Sequence, residues 1–381
     1  YFLSRPRRFG KSLLVSTMEA YFSGKKELFE GLAISKLEKD WNQYPVLRFD
    51  FTGQFYTTPD AWEDTLNTQL EALEKRFEIN EPSGSAASRF RVLIDRAYDS
   101  TGKPVVILID EYDKPVVDNI ADESLSDIFR KQLQGFYSVM KAKDKYIKFG
   151  FLTGVTKIGK LSVFSGLNNL KDISLDARYT NICGISEKEL KKYFKESVRD
   201  LAEANDISAK KCYSLLAQMY DGYHFRQNSA GIYNPFSVLS TFDSGEFDNY
   251  WFETATPSFL VRFLQQGNYK LDDINRDKVP VSMLKGVNAE RPNAITLLYQ
   301  TGYLTIKDYD PQFRRYGLGY PNKEVEDSFV ESLSEFYTPI EKSPGELSAD
   351  KFVEDIRSGN VEMLMRRFSA FFADMDYRIQ G

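Results

Sequence analysis

Residues 10–12 read Gly-Lys-Ser, and they stand between an apolar run and a helical one. No other feature of the chain limits its fold as tightly. Tyr1, Phe2 and Leu3 supply a short strand, a loop follows, and Leu13 to Phe22 has the pattern of a helix. A strand, a loop and a helix closed by Gly-Lys-Ser form a phosphate-binding loop. Gly10 lets the backbone approach a phosphate, Lys11 reaches the terminal phosphates, and the Ser12 hydroxyl is placed to hold Mg²⁺. The first turn of the helix adds free N–H groups and the positive end of its dipole. On this reading the nucleotide-contacting stretch is Arg7, Arg8, Phe9, Gly10, Lys11, Ser12 and Leu13. Arg7 and Arg8 have alternative readings, as nucleic-acid contacts or intramolecular ion pairs, because a guanidinium matches any phosphate or carboxylate. The usual spacing, G-x-x-x-x-G-K-[ST], places a glycine where Arg5 stands. Arg5 is expected to strain the loop and Pro6 has no N–H to offer, so a loop that keeps the shape but binds weakly is the competing reading.

A second motif lies further along. Val105 to Ile109 is an unbroken apolar run, as expected of a strand buried on both faces of a parallel sheet. It ends in Asp110-Glu111. At a strand's carboxyl end Asp110 is placed to hold Mg²⁺ and Glu111 to activate a water as general base. The bland alternative is an acidic strand end that caps a helix. Asp113 and Lys114 fall too far along for chemistry and are read as a structural pair or a loop contact. The run Tyr146–Gly154 is a third core strand, expected beside the Asp110 strand. Its Thr153 is a candidate sensor of the γ-phosphate or of the attacking water, against an ordinary strand-terminal threonine. Ligands of open α/β sheets sit beyond the carboxyl ends of the strands, so all these motifs point to one place.

The strands alternate with helical patterns near residues 61–77, 86–98 and 124–143, and Tyr44–Phe51 reads as another strand. That alternation predicts an α/β fold: a P-loop core with a parallel sheet flanked by helices. At 381 residues there is room for more than one domain. Past about Ser186 the pattern turns helical, at 187–204, 237–242 and 256–265, with aromatic turns at 221–225 and 233–236. From Pro292 a helix (294–300), a strand (303–306), a hairpin partner (312–318) and a second helix (321–337) suggest a winged-helix-like module. The domains are therefore read as 1–185 (P-loop core), 186–290 (α-helical region), 291–340 (winged-helix-like) and 341–381 (linker and C-terminal helix, 361–373). Tyr1 stands inside the first expected strand without an initiator Met, so the chain reads as part of a longer protein.

The net charge of −5 gives no global pull toward nucleic acid. Arg314 and Arg315 in the expected wing and the aromatic run Tyr250-Trp251-Phe252 are the local candidates for such contacts. The run is equally the core of the helical region. A single histidine, His224, rules out multi-histidine zinc sites. Among Tyr220, Tyr223 and Phe225 it reads as part of a packed, hydrogen-bonded turn. Two cysteines, Cys183 and Cys212, make no disulfide framework and fit a reducing cytoplasmic compartment as buried side chains. No apolar run is long enough to span a membrane.

The segments Phe2–Ser12, Leu108–Pro115, Phe151–Val155 and Tyr220–Phe225 together resemble the bacterial AAA-ATPase-like family. So do Tyr233–Ser237, Gln300–Leu304 and Gly319–Asn322. The resemblance implies ATP rather than GTP as the nucleotide. No Asn-Lys-x-Asp guanine motif is evident. It also implies a C-terminal PD-(D/E)xK nuclease-like domain in many members. That domain is not expected in this chain: Glu189-Leu190-Lys191 falls in a helical pattern and reads as a solvated helix face. The expected reaction is Mg²⁺-dependent hydrolysis of ATP, with Lys11 stabilising charge, Ser12 and Asp110 placing Mg²⁺, and Glu111 activating water. A DNA or protein partner and an oligomer able to supply an arginine finger are compatible with it. The alternative is a non-hydrolytic regulatory module that binds DNA or protein. A part of a nuclease system gated by ATP is a third.

Overall fold

The computed structural model describes residues 1–157, 170–251, 278–284, 286–287, 293–329, 362–363 and 365–366. Its contacts divide into two units, Tyr1–Glu326 and Asp327–Gly381. Of the second, helical residues at 327–329, 362–363 and 365–366 are described. The helix expected at 256–265, Phe252, the linker after Pro339, residues 330–337 of the helix expected at 321–337, and most of the helix expected at 361–373 lie outside the described residues.

Four parallel strands form the central sheet of the first unit, in the order β1-β4-β3-β2. They are β1 (Phe2–Ser4), β2 (Val46–Asp50), β3 (Val105–Asp110) and β4 (Ile147–Gly154). The strand that carries Thr153 thus lies between the loop strand and the Asp110 strand, with Leu3 opposite Thr153 and Ile109 opposite Leu152. A short parallel bridge from Asp172 to Phe2 covers the outer edge of β1. All six residues of β3 are buried. Because successive side chains point to opposite faces, its alternate residues feed two cores. Val105, Ile107 and Ile109 join Phe49, Phe90, Leu133 and Phe136 in the larger one. Val106 and Leu108 meet Leu3, Val15 and Phe151 in the other. The larger core is roofed by α3 (Pro59–Arg76), α4 (Ala86–Thr101) and α6 (Glu123–Ala142). Thr58, Ser85 and Asp122 start these helices by accepting a backbone N–H of the first turn. Helix α1 (Lys11–Phe22) covers the second core with Val15. The short helix α5 (Lys114–Asp118) adds Val116 to the larger core, and another short helix, α2 (Ile34–Leu37), lies between α1 and β2 in the chain.

The helical region has its own core. Helices α7 (Glu187–Tyr193), α8 (Lys195–Ala204), α9 (Ala209–Tyr220) and α10 (Pro235–Ser244) bury Leu190, Val198, Leu201, Cys212, Leu216 and Val238. The stretch 187–204 is two helices broken at Phe194. Glu189 closes a capping box with Ser186 at the start of the helix that the pattern predicts. Between them a two-residue ribbon pairs β5 (Ile185–Ser186) with β6 (Ile232–Tyr233). Next along the chain the helix Ala294–Thr301 precedes an antiparallel hairpin, β8 (Thr305–Asp310) with β9 (Arg315–Gly319). The strand β7 (Val279–Pro280) pairs with β9 and widens the hairpin to three strands. Helical structure resumes at 323. The hairpin runs later than the pattern suggested. The reason is that Leu304 caps the preceding helix, its N–H bonding to Leu298 O, before the chain extends.

Candidate nucleotide site

The loop between β1 and α1 is built from two left-handed residues. Arg8 has φ 64° and Gly10 has φ 82°. Arg5 does not have a positive φ, so the glycine expected there is not needed for the backbone turn. Its side chain has a different task. Arg5 is 1% exposed, and its guanidinium donates to the carbonyls of Ser4, Ser174, Tyr179 and Ile182. It also lies 3.9 Å from the centre of the Phe225 ring. Among the described residues no carboxylate forms an ion pair with it, and burial lowers its pKa to about 10. The strain expected of Arg5 is therefore absent: this side chain ties the start of the loop to the 174–182 segment and to the aromatic turn.

The rest of the loop is held by the later part of the chain, residue by residue. A Cβ on Gly302 would lie 2.6 Å from Pro6 Cβ, so the Pro6 ring packs on the Gly302 backbone too closely for a side chain there. The Arg7 carbonyl accepts from Trp251 Nε1 at 3.0 Å. The Arg8 guanidinium sits 4.8 Å from the Phe236 ring centre. Phe9 is fully buried, with its ring edge-on to Tyr223 at 4.7 Å and to Phe225 at 5.6 Å. Trp251 is thus a core residue, as the bland reading had it. His224 likewise sits in a hydrogen-bonded turn, its Nδ1 against Ser229 O and its N–H donating to Thr305 Oγ1. Of the cysteines, Cys212 is buried, whereas Cys183 is half-buried in a left-handed turn.

The open side of the loop faces the sheet's carboxyl edge. A Cβ on Gly10 would meet nothing within 4 Å, and Ser12 and Leu13 are exposed. Helix α1 starts on Gly10 without a side-chain cap, so no side chain competes for its first amides. Lys11 is 5% exposed, and its Nζ donates to Arg5 O at 3.1 Å and to Pro6 O at 3.0 Å. Burial pushes its pKa down, opposed first by Glu111, then by Asp110 and Asp113. The loop lysine and the acidic strand end therefore share one electrostatic site.

Asp110 is fully buried, and burial pushes its pKa up against the Ser12 hydroxyl and the Lys11 charge. Its Oδ1 accepts from Glu111 N, while its Oδ2 has no hydrogen-bond partner among the described residues. A buried, unpartnered carboxylate oxygen next to a lysine and a serine hydroxyl suits a hard cation that keeps most of its waters. Glu111 follows at φ 49°, a left-handed conformation unusual for glutamate. Thr153 is buried, with its hydroxyl donating to Leu3 O at 2.9 Å, so in this state it ties β4 to β1. Asp113 and Lys114 do not pair with each other. Lys114 bonds Asp118 at 2.7 Å, and Asp113 binds the loop after β4. The two readings offered for them resolve into a loop contact for Asp113 and a local ion pair for Lys114.

Residues 1–164 match a family profile described as predicted AAA-ATPase. The chain is also 35% identical over 380 residues to a protein of Azotobacter chroococcum mcd 1 described as an uncharacterized protein in vnfD 5′ region. That alignment covers 99% of this chain and 71% of the relative. None of the helices among the described residues is long and apolar enough to cross a membrane. With the parallel sheet, the Gly-Lys-Ser loop and the acidic strand end on one edge, the chain belongs to the predicted AAA-ATPase family.

Proposed function

We propose that this chain binds ATP with Mg²⁺ at the loop Arg7–Leu13 and hydrolyses the γ-phosphate. One observation carries the reading: Lys11, Ser12, Asp110 and Glu111 meet at the carboxyl edge of the sheet, with Lys11 under the field of both carboxylates. The loop amides and Lys11 bind the phosphates and oppose the charge that develops on them. For Lys11 this means exchanging two loop carbonyls for phosphate oxygens. Ser12 and Asp110 would hold Mg²⁺, which would supply positive charge to neutralise the phosphates. Glu111 takes a proton from the attacking water as its oxygen bonds to phosphorus. The bond to the bridging oxygen breaks, and ADP leaves with the electron pair. Thr153, released from Leu3 O, is the candidate sensor. The division into a nucleotide core at 1–185, a helical region at 186–290 and a winged-helix-like module at 291–340 belongs to the same proposal.

The test compares ATP binding and turnover in the wild type, Lys11→Ala and Glu111→Gln. The expected result is loss of binding in Lys11→Ala, by a factor of 100 or more. Glu111→Gln should retain affinity within about threefold while turnover falls about 100-fold or more. Wild-type binding that survives Lys11→Ala would move the nucleotide off the loop.

A second reading rests on the hairpin. Phe313, Arg314 and Arg315 are exposed at its turn, where Arg314 adopts φ 51°. This is the end a wing would present to a nucleic-acid backbone. Duplex DNA affinity that falls with salt, and falls again in Arg314→Ala/Arg315→Ala, would support it.

A further inference from the structure

The left-handed turn at Glu111 is costly for a glutamate, and such a turn persists when its surroundings over-determine it. The segment that follows it is fastened to the exit of β4 by five hydrogen bonds. Tyr112 N donates to Thr153 O at 3.0 Å, and Tyr112 OH donates to Thr156 O at 3.1 Å. The Asp113 carboxylate accepts the other three. Oδ1 takes Val155 N at 3.3 Å, and Oδ2 takes Thr156 N and Thr156 Oγ1, each at 2.6 Å. All three partners are donors, so the carboxylate fills this place as an anion with no exchange of roles. Asp113 is 1% exposed, and Thr156 is equally buried. The fit leaves no slack. A Cβ at Gly154 would lie 2.1 Å from Asp113 Oδ1 and 2.8 Å from its Cγ.

We propose that Asp113 is a positioning residue for hydrolysis: by clamping the exit of β4 to the segment after Glu111, it holds the Glu111 carboxylate and Thr153 at one fixed separation over the phosphate loop. Two strand ends that approach the γ-phosphate independently would each need only local geometry. Here the base candidate and the sensor candidate sit on neighbouring strands, and among the described residues the charged group joining their exits is Asp113. The inference rests on the ATPase reading above. It adds a residue that never touches the nucleotide yet sets the rate of its cleavage.

The experiment measures turnover per bound ATP in the full chain for the wild type, Glu111→Gln, Asp113→Asn and Thr156→Val. The folded fraction of each is checked by thermal melting. Normalising to bound nucleotide separates the two roles, because a merely structural Asp113 would change how much protein is active but not the rate of each active molecule. The expected result is a fall of about 30- to 100-fold in Asp113→Asn, and of about 3- to 10-fold in Thr156→Val, which loses one of the three donors. ATP affinity should stay within about threefold, because misplacement of a catalytic group by an ångström costs on the order of 100-fold in rate. Should Asp113→Asn fail to fold, Thr156→Val decides alone. Unchanged turnover per bound ATP in the folded variants, with Glu111→Gln silenced, overturns the positioning role and leaves the ATPase reading standing. A wild type that binds ATP without turnover overturns both.

Discussion

The phosphate loop and the acidic strand end meet at one site, yet they are held there in opposite ways. The acidic end is fixed from within the sheet: Asp110 is the last residue of a buried strand, and Asp113 fastens it to the strand alongside. The loop is fixed from outside the sheet. Arg5 to Phe9 each lean on a residue from beyond position 170: the 174–182 carbonyls and Phe225, Gly302, Trp251, Phe236 and Tyr223 in turn. The first arrangement is a property of the α/β layer. The second makes the loop's shape a shared property of the α/β layer and the region that follows it. A change in one must then be felt in the other.

The comparison breaks most sharply at Arg5. Replacing it with the glycine common to such loops should harm this protein. Arg5→Gly removes a buried cation from four carbonyls and leaves a cavity against Phe225. The expected loss is on the order of 4 kcal/mol, a fall in Tm of about 5 °C. Thermal or urea unfolding measures it. A variant as stable as the wild type would show that the later region does not support the loop through this side chain.

This residue also marks what the sequence made legible. The core strands, the Gly-Lys-Ser loop and the acidic end were readable because each is a local pattern: an apolar run, a turn, a polar end. Asp113 was visible as a residue but not as a clamp, because its partners Val155 and Thr156 lie 42 and 43 positions away. Arg5 looked like a defect for the same reason. Its carbonyl partners at Ser174, Tyr179 and Ile182 are 169, 174 and 177 positions away. Backbone carbonyls carry no sequence signature at all. A basic residue buried against them cannot be told from a solvated one until the chain is folded.

A smaller effect distinguishes the two regions by pH. Burial raises the Asp113 pKa to about 6, and burial raises that of Glu324 to about 7. Glu324 is fully buried and accepts from Ser237 Oγ and from Trp251 N, behind the loop. A carboxyl with a raised folded-state pKa gives stability that is present below its unfolded pKa, near 4, and lost as pH rises through the folded value. Keeping both ionised at pH 8 therefore costs on the order of 3 kcal/mol each at most. Tm should rise by about 2 °C between pH 8 and pH 6, most of it from Glu324, whose folded value lies inside that interval, so Glu324→Gln should remove most of the rise. A Tm that falls over this interval in the wild type would contradict the burial of both groups.

The smallest effect tests the outer support of the loop without disturbing its charge. Trp251 presents one polar atom to the loop, the Nε1–H that meets the Arg7 carbonyl. Its ring packs edge-on against Tyr303 at 5.1 Å. Trp251→Phe keeps most of the apolar contact and removes that donor. The cost in stability should be about 1 to 2 kcal/mol, the worth of a buried hydrogen bond and a little lost packing. If the loop's shape depends on support from this side, ATP affinity should weaken about three- to fivefold, while turnover per bound ATP stays unchanged, since Glu111 is held from the other side. The opposite pattern, unchanged affinity with slowed turnover, would mean that Trp251 acts on the acidic end through the loop. The two supports would then be one.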